Sequence, residues 1–469
     1  MSKKNKTRQI LENIEIIALA AEGKAIARVS NKVLFVPFVV PGDIVDVVIT
    51  KKNKNYLEAK VVNFKKKSDF RIEPFCSHFG VCGGCKWQNL PYEKQLFYKQ
   101  KQVTDQFERI GKIQVNKTFS IIGSNEITKY RNKLEFTFTN KRWLYEGEEE
   151  LPNPTDYWGA GFHIPSRFDK VFNVDICYLQ NEPSNEIRKS VAEFCKQNLI
   201  PFFDLRAHEG YVRNVIIRNT LNEQVMVIIC LFCENNIWQE KILSHISEKF
   251  PKITSLYFAI NPKHNNSLDG ISPILYKGAG YLIENLNGLK FKISPKSFFQ
   301  TNSKQACVLY NKVLEFSGLT GNEIVYDLYS GTGTIGLFLS KQAKKVIGIE
   351  FVEDAVNDAR ENAILNEITN ATFFAGDVKE ILSQTFIQQN GKPDVIIIDP
   401  PRSGIHKEVI ETILKILPPK IVYVSCNPAT QARDIQMMSE FYNVPLIQPV
   451  DMFPHTQHIE NITLLILKK

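Results

Sequence analysis

At 469 residues the chain is long enough for about three domains of ordinary size, and 43% of it is hydrophobic. No apolar run approaches the ~18 residues of a membrane span, and the opening MSKKNKTRQILENIE has charges but no secretory hydrophobic stretch, so spanning and secreted classes are set aside and a soluble, cytoplasmic protein is expected. The net charge of +8 sits wholly between Met1 and Lys67, where 14 Lys plus Arg face 6 Asp plus Glu; the rest of the chain carries 44 of each sign.

A basic module on a neutral body reads as a polyanion-binding appendage, although a solvated lysine tail would give the same count. Residues 12 to 64 alternate apolar and polar in short runs, KVLFVPFVV, DIVDVVIT and LEAKVVNF, separated by PGD and KKNKN. Such runs and turns predict a small antiparallel barrel. The pieces AAEGKAIARV, LFVPFVVPGDIVDV and EAKVV resemble the TRAM module, an OB-like barrel found on RNA-modifying enzymes, which implies RNA as the partner of this charge.

Nine cysteines in such a chain argue against a disulfide framework and for metal, catalytic or core thiols. Cys76, Cys82 and Cys85 fall within ten residues in FCSHFGVCGGCKW, and the Gly83-Gly84 pair lets the backbone wrap closely around whatever they hold. Zinc and an iron-sulfur cluster each need a fourth ligand, and spacing alone leaves both open. YEKQLFYKQKQVTDQFERIG then predicts a helix ending at Gly111. Residues 115 to 290 are mixed: YRNKLEFTFTN alternates at Leu134, Phe136 and Phe138, and VRNVIIRNT and QVMVIICLF read as further strands. The alternation puts Arg131 and Lys133 opposite Leu134 and Phe136. The acid run Glu146 to Glu150 reads as a solvated loop. Cys230 and Cys233 lie in VMVIICLFCEN, a run typical of a buried strand, and with Cys195 and Cys307 they are read as structural.

From about residue 290, apolar strands alternate with helical stretches: IVYDLYS, KVIGIE, ATFFAGD, DVIIIDPP, IVYVSCNP and NITLLILKK. Continuous Val/Ile runs imply strands buried on both faces of a parallel sheet, where ligands bind beyond the carboxyl ends. DLYSGTGTIGLF places Asp327, Gly331, Gly333 and Gly336 in a strand-to-helix turn that admits a close ligand. Dinucleotide enzymes use similar turns, so this alone is weak. The next strand, however, ends in Glu350, placed for ribose hydroxyls, the following one in Asp377, and the fourth in DPPRSG. Residues 290 to 469 resemble the class I S-adenosylmethionine-dependent methyltransferases; a nicotinamide-binding fold would leave DPPR and SCNP without chemistry.

Cys426 ends an apolar run where the chain opens into an Asn-Pro turn. Enzymes that methylate exocyclic amines commonly follow Asp-Pro-Pro with an aromatic residue that stacks on the base; here Arg402 follows. An amine brings its own lone pair, whereas uracil C5 must be made enolate-like by thiolate attack at C6. A base must later remove the C5 proton. Glu460 in DMFPHTQHIENITLLIL, near His455 and His458, is the candidate, a solvated strand mouth being the plain alternative.

DPPR, SCNP and FPHTQHIE in this order resemble the RNA uracil-C5 methyltransferases. The resemblance implies Cys426 as nucleophile, Glu460 as proton acceptor and Asp399 as the carboxylate holding the uracil edge near the cofactor. Through SPKSFFQTN it implies Gln300 at the cofactor and Phe298 near the target base, and it adds Tyr329 to the cofactor pocket. KYRNKLEF (Lys129, Arg131, Lys133) and GYVRNVIIRN (Arg213, Arg218) occur where the family cradles RNA, and Arg402 joins the expected RNA contacts. The target uridine must leave its stack to reach a thiol. The iron-sulfur branch of the family implies Cys76, Cys82, Cys85 and a distant fourth cysteine, Cys177, as ligands of a 4Fe-4S cluster with an architectural role, since uracil alkylation consumes no electrons.

The expected organisation is a TRAM-like OB barrel over 1–67, a central α+β domain with the cluster cysteines and RNA contacts over 68–290, and a C-terminal α/β Rossmann-like methyltransferase domain over 291–469. The expected activity is S-adenosylmethionine-dependent 5-methyluridine formation, with 23S ribosomal RNA as the first substrate, because the bacterial tRNA enzymes of the family characteristically lack both barrel and cysteine knot, and the transfer RNA T-loop as the alternative, because some relatives with both features act on tRNA. A noncatalytic RNA-binding protein is the alternative of a different class. No membrane or obligatory protein partner is expected, and the protein is expected to act as a monomer.

Overall fold

Short β-branched runs broken by Gly, Asn and Pro favour a tightly turned sheet, and residues 10–66 form one. In the computed structural model, which describes residues 9–469 except 21, 146, 149 and 166, six strands pair in the spatial order first, fifth, sixth, fourth, third, second. Lys3, Lys4, Lys6 and Arg8 of the basic tail, and Glu146 and Glu149 of the acid run, lie outside the described residues. The pairing departs from the antiparallel expectation at one place: the crossover PFVVPGD brings Lys32–Val36 alongside Tyr56–Lys66 in parallel. Alternate residues, Ala25, Ala27, Leu34, Val36, Val45 and Val47, fill this module's own core.

The middle of the chain builds a seven-stranded sheet from Lys133–Thr139 to Ile274–Gly278, antiparallel except where Val225–Leu231 and Ser255–Ile260 run together. Its two faces serve different cores. Leu134, Phe136, Val215, Ile217, Val227 and Ile229 pack beneath the helices Ser184–Gln197 and Asn236–Lys249. The intervening Ile216, Ile228 and Cys230 join the core of the C-terminal part. A period of two thus welds the middle sheet to the catalytic one.

The C-terminal eight-stranded sheet has the order Ala371–Ala375, Lys345–Glu350, Ile324–Leu328, Val395–Ile398, Lys420–Ser425, Glu460–Leu467, Tyr442–Val450, Val115–Thr118. The first five are parallel neighbours, and Glu460–Leu467 is antiparallel to both strands beside it. Sequence order reverses beside Ile324–Leu328, the switch point at which such sheets take ligands. Val115–Thr118 and the helix Tyr92–Gln106, here α1, also belong to this body: the strand pairs with Tyr442–Val450, and Val103 of α1 enters the core behind the sheet. Residues 92–118, expected in the central domain, thus pack on the C-terminal sheet. No helix among the described residues is long and apolar enough to cross a membrane.

Candidate active site

Each candidate loop beyond the sheet is shaped by its own residues. At the end of Lys420–Ser425, the Asn427 N–H donates to Ser425 Oγ (3.1 Å), the Asn427 side chain caps the next helix by accepting from Ala429 N (3.2 Å), and Pro428 supplies the first helical turn. Cys426 is held between them, half-buried. Asn427 Nδ2 and Thr430 Oγ1 also donate to the Arg402 carbonyl at 3.1 and 3.3 Å, which ties the Cys426 turn to the Asp-Pro-Pro-Arg turn.

The strand register places the expected base. Ser425 pairs with Asn461 across the antiparallel ladder; continued one step, it sets Cys426 opposite Glu460, with side chains on one face. Asp399 ends the neighbouring parallel strand, Val395–Ile398. All three line one cavity of about 1670 Å³, together with Gln300, Asp327, Tyr329, Gly331, Glu350, Asp377, Lys133, Phe298 and Arg402.

Burial dominates the electrostatics here. It pushes the Cys426 thiol up to about 11, with the Glu460 and Asp399 carboxyls adding to the rise and the Arg402 guanidinium opposing it. Glu460 is raised well above the usual carboxylate range by burial and by Asp399. Burial carries Asp399 to about 7. Arg402 is the cation facing these groups, and its Nη2 lies 2.9 Å from His458 Nδ1. Burial, then Arg402, lowers His458 to about 4, so at neutral pH the ring is uncharged and Nδ1 accepts from the guanidinium.

On the Gly-rich side, Asp327 Oδ2 accepts from Gly336 N (2.9 Å) while Oδ1 is buried without a partner. Burial, with Asp399 and Glu350 adding to it, raises Asp327 to about 8. Glu350 accepts from Gly331 N (3.0 Å) and Val352 N (2.9 Å). Gly333 does not line the cavity: at φ +77° a Cβ there would meet Phe373 and Ala359, so this glycine serves helix-sheet packing behind the turn. Gln300 is set by the middle sheet, since Asn132 Nδ2 donates to its carbonyl and to Ser303 Oγ, each at 2.8 Å. Phe298 is 70% exposed and presents a free ring to the cavity.

The arginines of GYVRNVIIRN differ from expectation. Arg213 and Arg218 are buried because loop carbonyls consume their guanidiniums: Arg213 donates to Asn261, Lys263 and Asn265, and Arg218 to Ser297 (2.7 Å), in the loop that carries Phe298. They organise cavity walls and do not offer themselves to RNA. Lys133 does line the main cavity, and burial together with Arg218 lowers it to about 8. Arg131 lines the second cavity instead, its guanidinium 5.3 Å from the Phe453 ring centre. Sequence reasoning missed Phe351 and Val352, exposed apolar side chains at the cavity beyond Glu350, and Asn132; the run EFV after a strand was the available signal for the first two.

The second cavity, of about 380 Å³, is lined by Cys76, Cys82, Cys85 and Cys177, with Arg131, Lys133 and His458 on its wall. Gly83 explains part of the Gly-Gly pair: a Cβ there would stand 2.4 Å from the His163 carbonyl oxygen. Burial pushes Cys85 up to about 12 and Cys177 to about 11, with the neighbouring thiols adding to both. Among the described residues no group of three or more His, Cys, Asp or Glu side chains is gathered as a single metal ion requires. Of the remaining cysteines, Cys195 and Cys230 are buried core residues and Cys307 is half-buried against the core, whereas Cys233 lies past the end of its strand and is exposed, contrary to its structural assignment.

Comparison with known proteins agrees with this layout. Residues 281–469 match the tRNA (uracil-5-)-methyltransferase family model, and residues 11–62 match the TRAM domain. A protein of Bacteroides thetaiotaomicron described as an uncharacterized RNA methyltransferase is 52% identical over 96% of this chain and all of its own length. One from Porphyromonas gingivalis with the same description is 50% identical over 97% of this chain and 99% of its own. Among solved structures, the Pyrococcus abyssi tRNA (uracil-54, C5)-methyltransferase in complex with S-adenosyl-L-homocysteine superposes with a TM-score of 0.74 at 27% identity, covering 97% of this chain and 100% of that one. The chain belongs to the TRAM-bearing RNA (uracil-C5)-methyltransferase family, whose members are S-adenosylmethionine-dependent enzymes.

Proposed function

We propose that the protein methylates C5 of a uridine in RNA through a covalent adduct between Cys426 and C6. The observation that carries the reading is the single cavity lined by Cys426, Glu460 and Asp399 together with Asp327, Glu350 and Gln300, with Glu460 near enough for its carboxyl to raise the thiol. In this reading Cys426 gives its thiol proton to water in the cavity, the Arg402 guanidinium favouring the thiolate; the sulfur then adds to C6, and the electron pair displaced onto C5 takes the methyl group. S-adenosylmethionine supplies that group when bound, and the unpartnered Oδ1 of Asp327, the Glu350 carboxylate and the exposed apolar Phe351 and Val352 suit its cationic, ribose and adenine portions. Asp399, raised by burial, is suited to hydrogen bonding with the uracil edge. Glu460 then takes the C5 proton, the C5–C6 double bond re-forms, and the C6–S bond breaks with its electron pair returning to Cys426.

The four cysteines of the second cavity are proposed to hold a 4Fe-4S cluster. What supports this is the donor set: four thiols from two distant segments line one cavity with cationic Arg131 and Lys133 beside them, and a 4Fe-4S cluster takes four cysteine thiolates. Iron in anaerobically purified protein is the expected result, and stoichiometric zinc without iron contradicts it.

For the substrate we propose large-subunit ribosomal RNA, on the strength of the barrel and cysteine segment. The tRNA activity of the archaeal neighbour favours the T-loop of tRNA as the second reading. Assaying transcripts of both with S-adenosylmethionine and mapping 5-methyluridine decides: methylation of the rRNA transcript is expected, and methylation of tRNA alone overturns the substrate assignment.

A further inference from the structure

Residues 451–458 form the turn that delivers Glu460 to the site. The turn is irregular yet mostly buried, so its backbone groups need partners, and four consecutive carbonyls find them in separate places. Asn302 Nδ2 donates to Met452 O at 3.0 Å, Lys99 Nζ to Phe453 O at 3.0 Å, Tyr130 Oη to Pro454 O at 3.0 Å, and the Lys86 and Trp87 N–H groups to His455 O at 2.8 and 3.1 Å. At the centre stands an ion pair. Lys99 Nζ lies 2.6 Å from Asp451 Oδ1, and both side chains are 0% exposed. Tyr92 Oη donates to Asp451 Oδ2 at 2.9 Å, and Phe453 N donates to Oδ1 at 3.0 Å. Gln95, on the same face of α1, accepts from His455 N at 2.9 Å and donates to the carbonyls of Trp87 and Leu90.

Two charges taken from water are costly, and in an ordinary core an apolar pair of similar volume serves stability as well or better. An apolar pair cannot fix the height and rotation of a turn, which directional bonds from one ammonium to a carboxylate and a carbonyl do. We propose that Lys99 and Asp451 are positioning residues that set the 451–458 turn, and through it Glu460 and His458, for removal of the uracil C5 proton and release of Cys426. The inference rests on the reading of Glu460 as the base. Both side chains are fully buried, and Asp451 is joined to Glu460 through the turn. The step they serve balances within the site. The C5–H bond breaks with the proton passing to Glu460, its electron pair becomes the C5–C6 double bond, and the C6–S pair leaves with sulfur.

The test compares Lys99→Met, the double variant Lys99→Met/Asp451→Leu and Glu460→Gln with the wild type, using S-adenosylmethionine and an RNA transcript that the wild type methylates. First-turnover methyl transfer, release of the covalent protein–RNA complex and melting temperature are measured. A displaced base costs about 10²-fold in rate, so both Lys99 variants are expected to transfer the methyl group at close to the wild-type rate and to release the adduct about 10²-fold more slowly. The double variant carries no unpaired buried charge, so it is expected to lose less melting temperature than Lys99→Met, and it decides the matter if Lys99→Met fails to fold. Wild-type release by the double variant, or an equal fall in transfer and release, overturns the positioning role. Prompt release by Glu460→Gln overturns the base assignment itself; trapping by that variant with prompt release by the double variant overturns the positioning role alone.

Discussion

Cys426 lies in a turn whose neighbours explain it: Ser425 and Asn427 bond within the turn, and Pro428 starts the helix that follows. That information is local, which is why the thiol, the Asp-Pro-Pro-Arg turn and Glu460 could all be read from short motifs. Arg213 and Arg218 could not, because periodicity gives the face on which a side chain starts and not the loop carbonyls that absorb its guanidinium. Asp327 offers a test at this scale. Its carboxyl, near 8 in the folded protein against 3.8 ordinarily, keeps its proton on folding, so the folded state binds more protons than the unfolded one between those values. Its contribution is therefore fully present below about pH 4 and is lost as pH rises through 8. Melting curves of ligand-free wild type and Asp327→Asn should diverge with rising pH, the wild type losing ground; parallel curves would contradict the buried, protonated assignment.

Among the elements, the strands and the helix ending at Gly111 were readable, but the face that α1 buries was not. Leu134, Phe136 and Phe138 alternate as a half-buried strand does, and they fill the core beneath the central helices. On α1 the buried residues are Gln95, Lys99 and Val103, so polar side chains occupy positions where helical periodicity looks for apolar ones. The partners that justify this stripe lie more than 350 residues away in sequence, at Asp451 and His455, where no local pattern reaches. The strand-to-helix turn after Ile324–Leu328 is a second case. The glycine pattern puts Gly333 at the ligand, and it instead allows the helix to close on Phe373 and Ala359 at a positive φ. Gly333→Ala should cost about 1–3 kcal/mol from backbone strain alone, read as a lower urea midpoint at unchanged slope; an unchanged midpoint would show that the turn can relax.

Among the described residues three large sheets and one two-stranded sheet divide the labour, and the welded core between the seven- and eight-stranded sheets makes Asn132 and Gln300 neighbours although they lie 168 residues apart. Net charge placed the basic module correctly at the N-terminus, but composition could not show that Trp87, just after the cysteine triplet, donates its indole N–H to the Gly23 carbonyl of the barrel at 3.2 Å. The barrel, the cysteine segment and the 451–458 turn are thus bonded in series. Lys54, Lys60, Lys66 and Lys67 are exposed on the barrel. Replacing all four with Ala should weaken RNA binding alike for all sequences and flatten its salt dependence, by roughly 0.7 in log–log slope for each phosphate left without its lysine. A salt slope equal to that of the wild type would remove the barrel from the binding surface.

The central claim is that Cys426 forms a bond to the uracil ring, and a fluorine at C5 reports on it because the base cannot remove fluorine as it removes a proton. RNA containing 5-fluorouridine, incubated with the protein and S-adenosylmethionine, should yield a denaturation-resistant complex whose digest shows a methylated fluorouridine nucleotide on the peptide bearing Cys426, and Cys426→Ala should form none. A complex that persists in Cys426→Ala, or ordinary uridine methylated by that variant, would contradict the account.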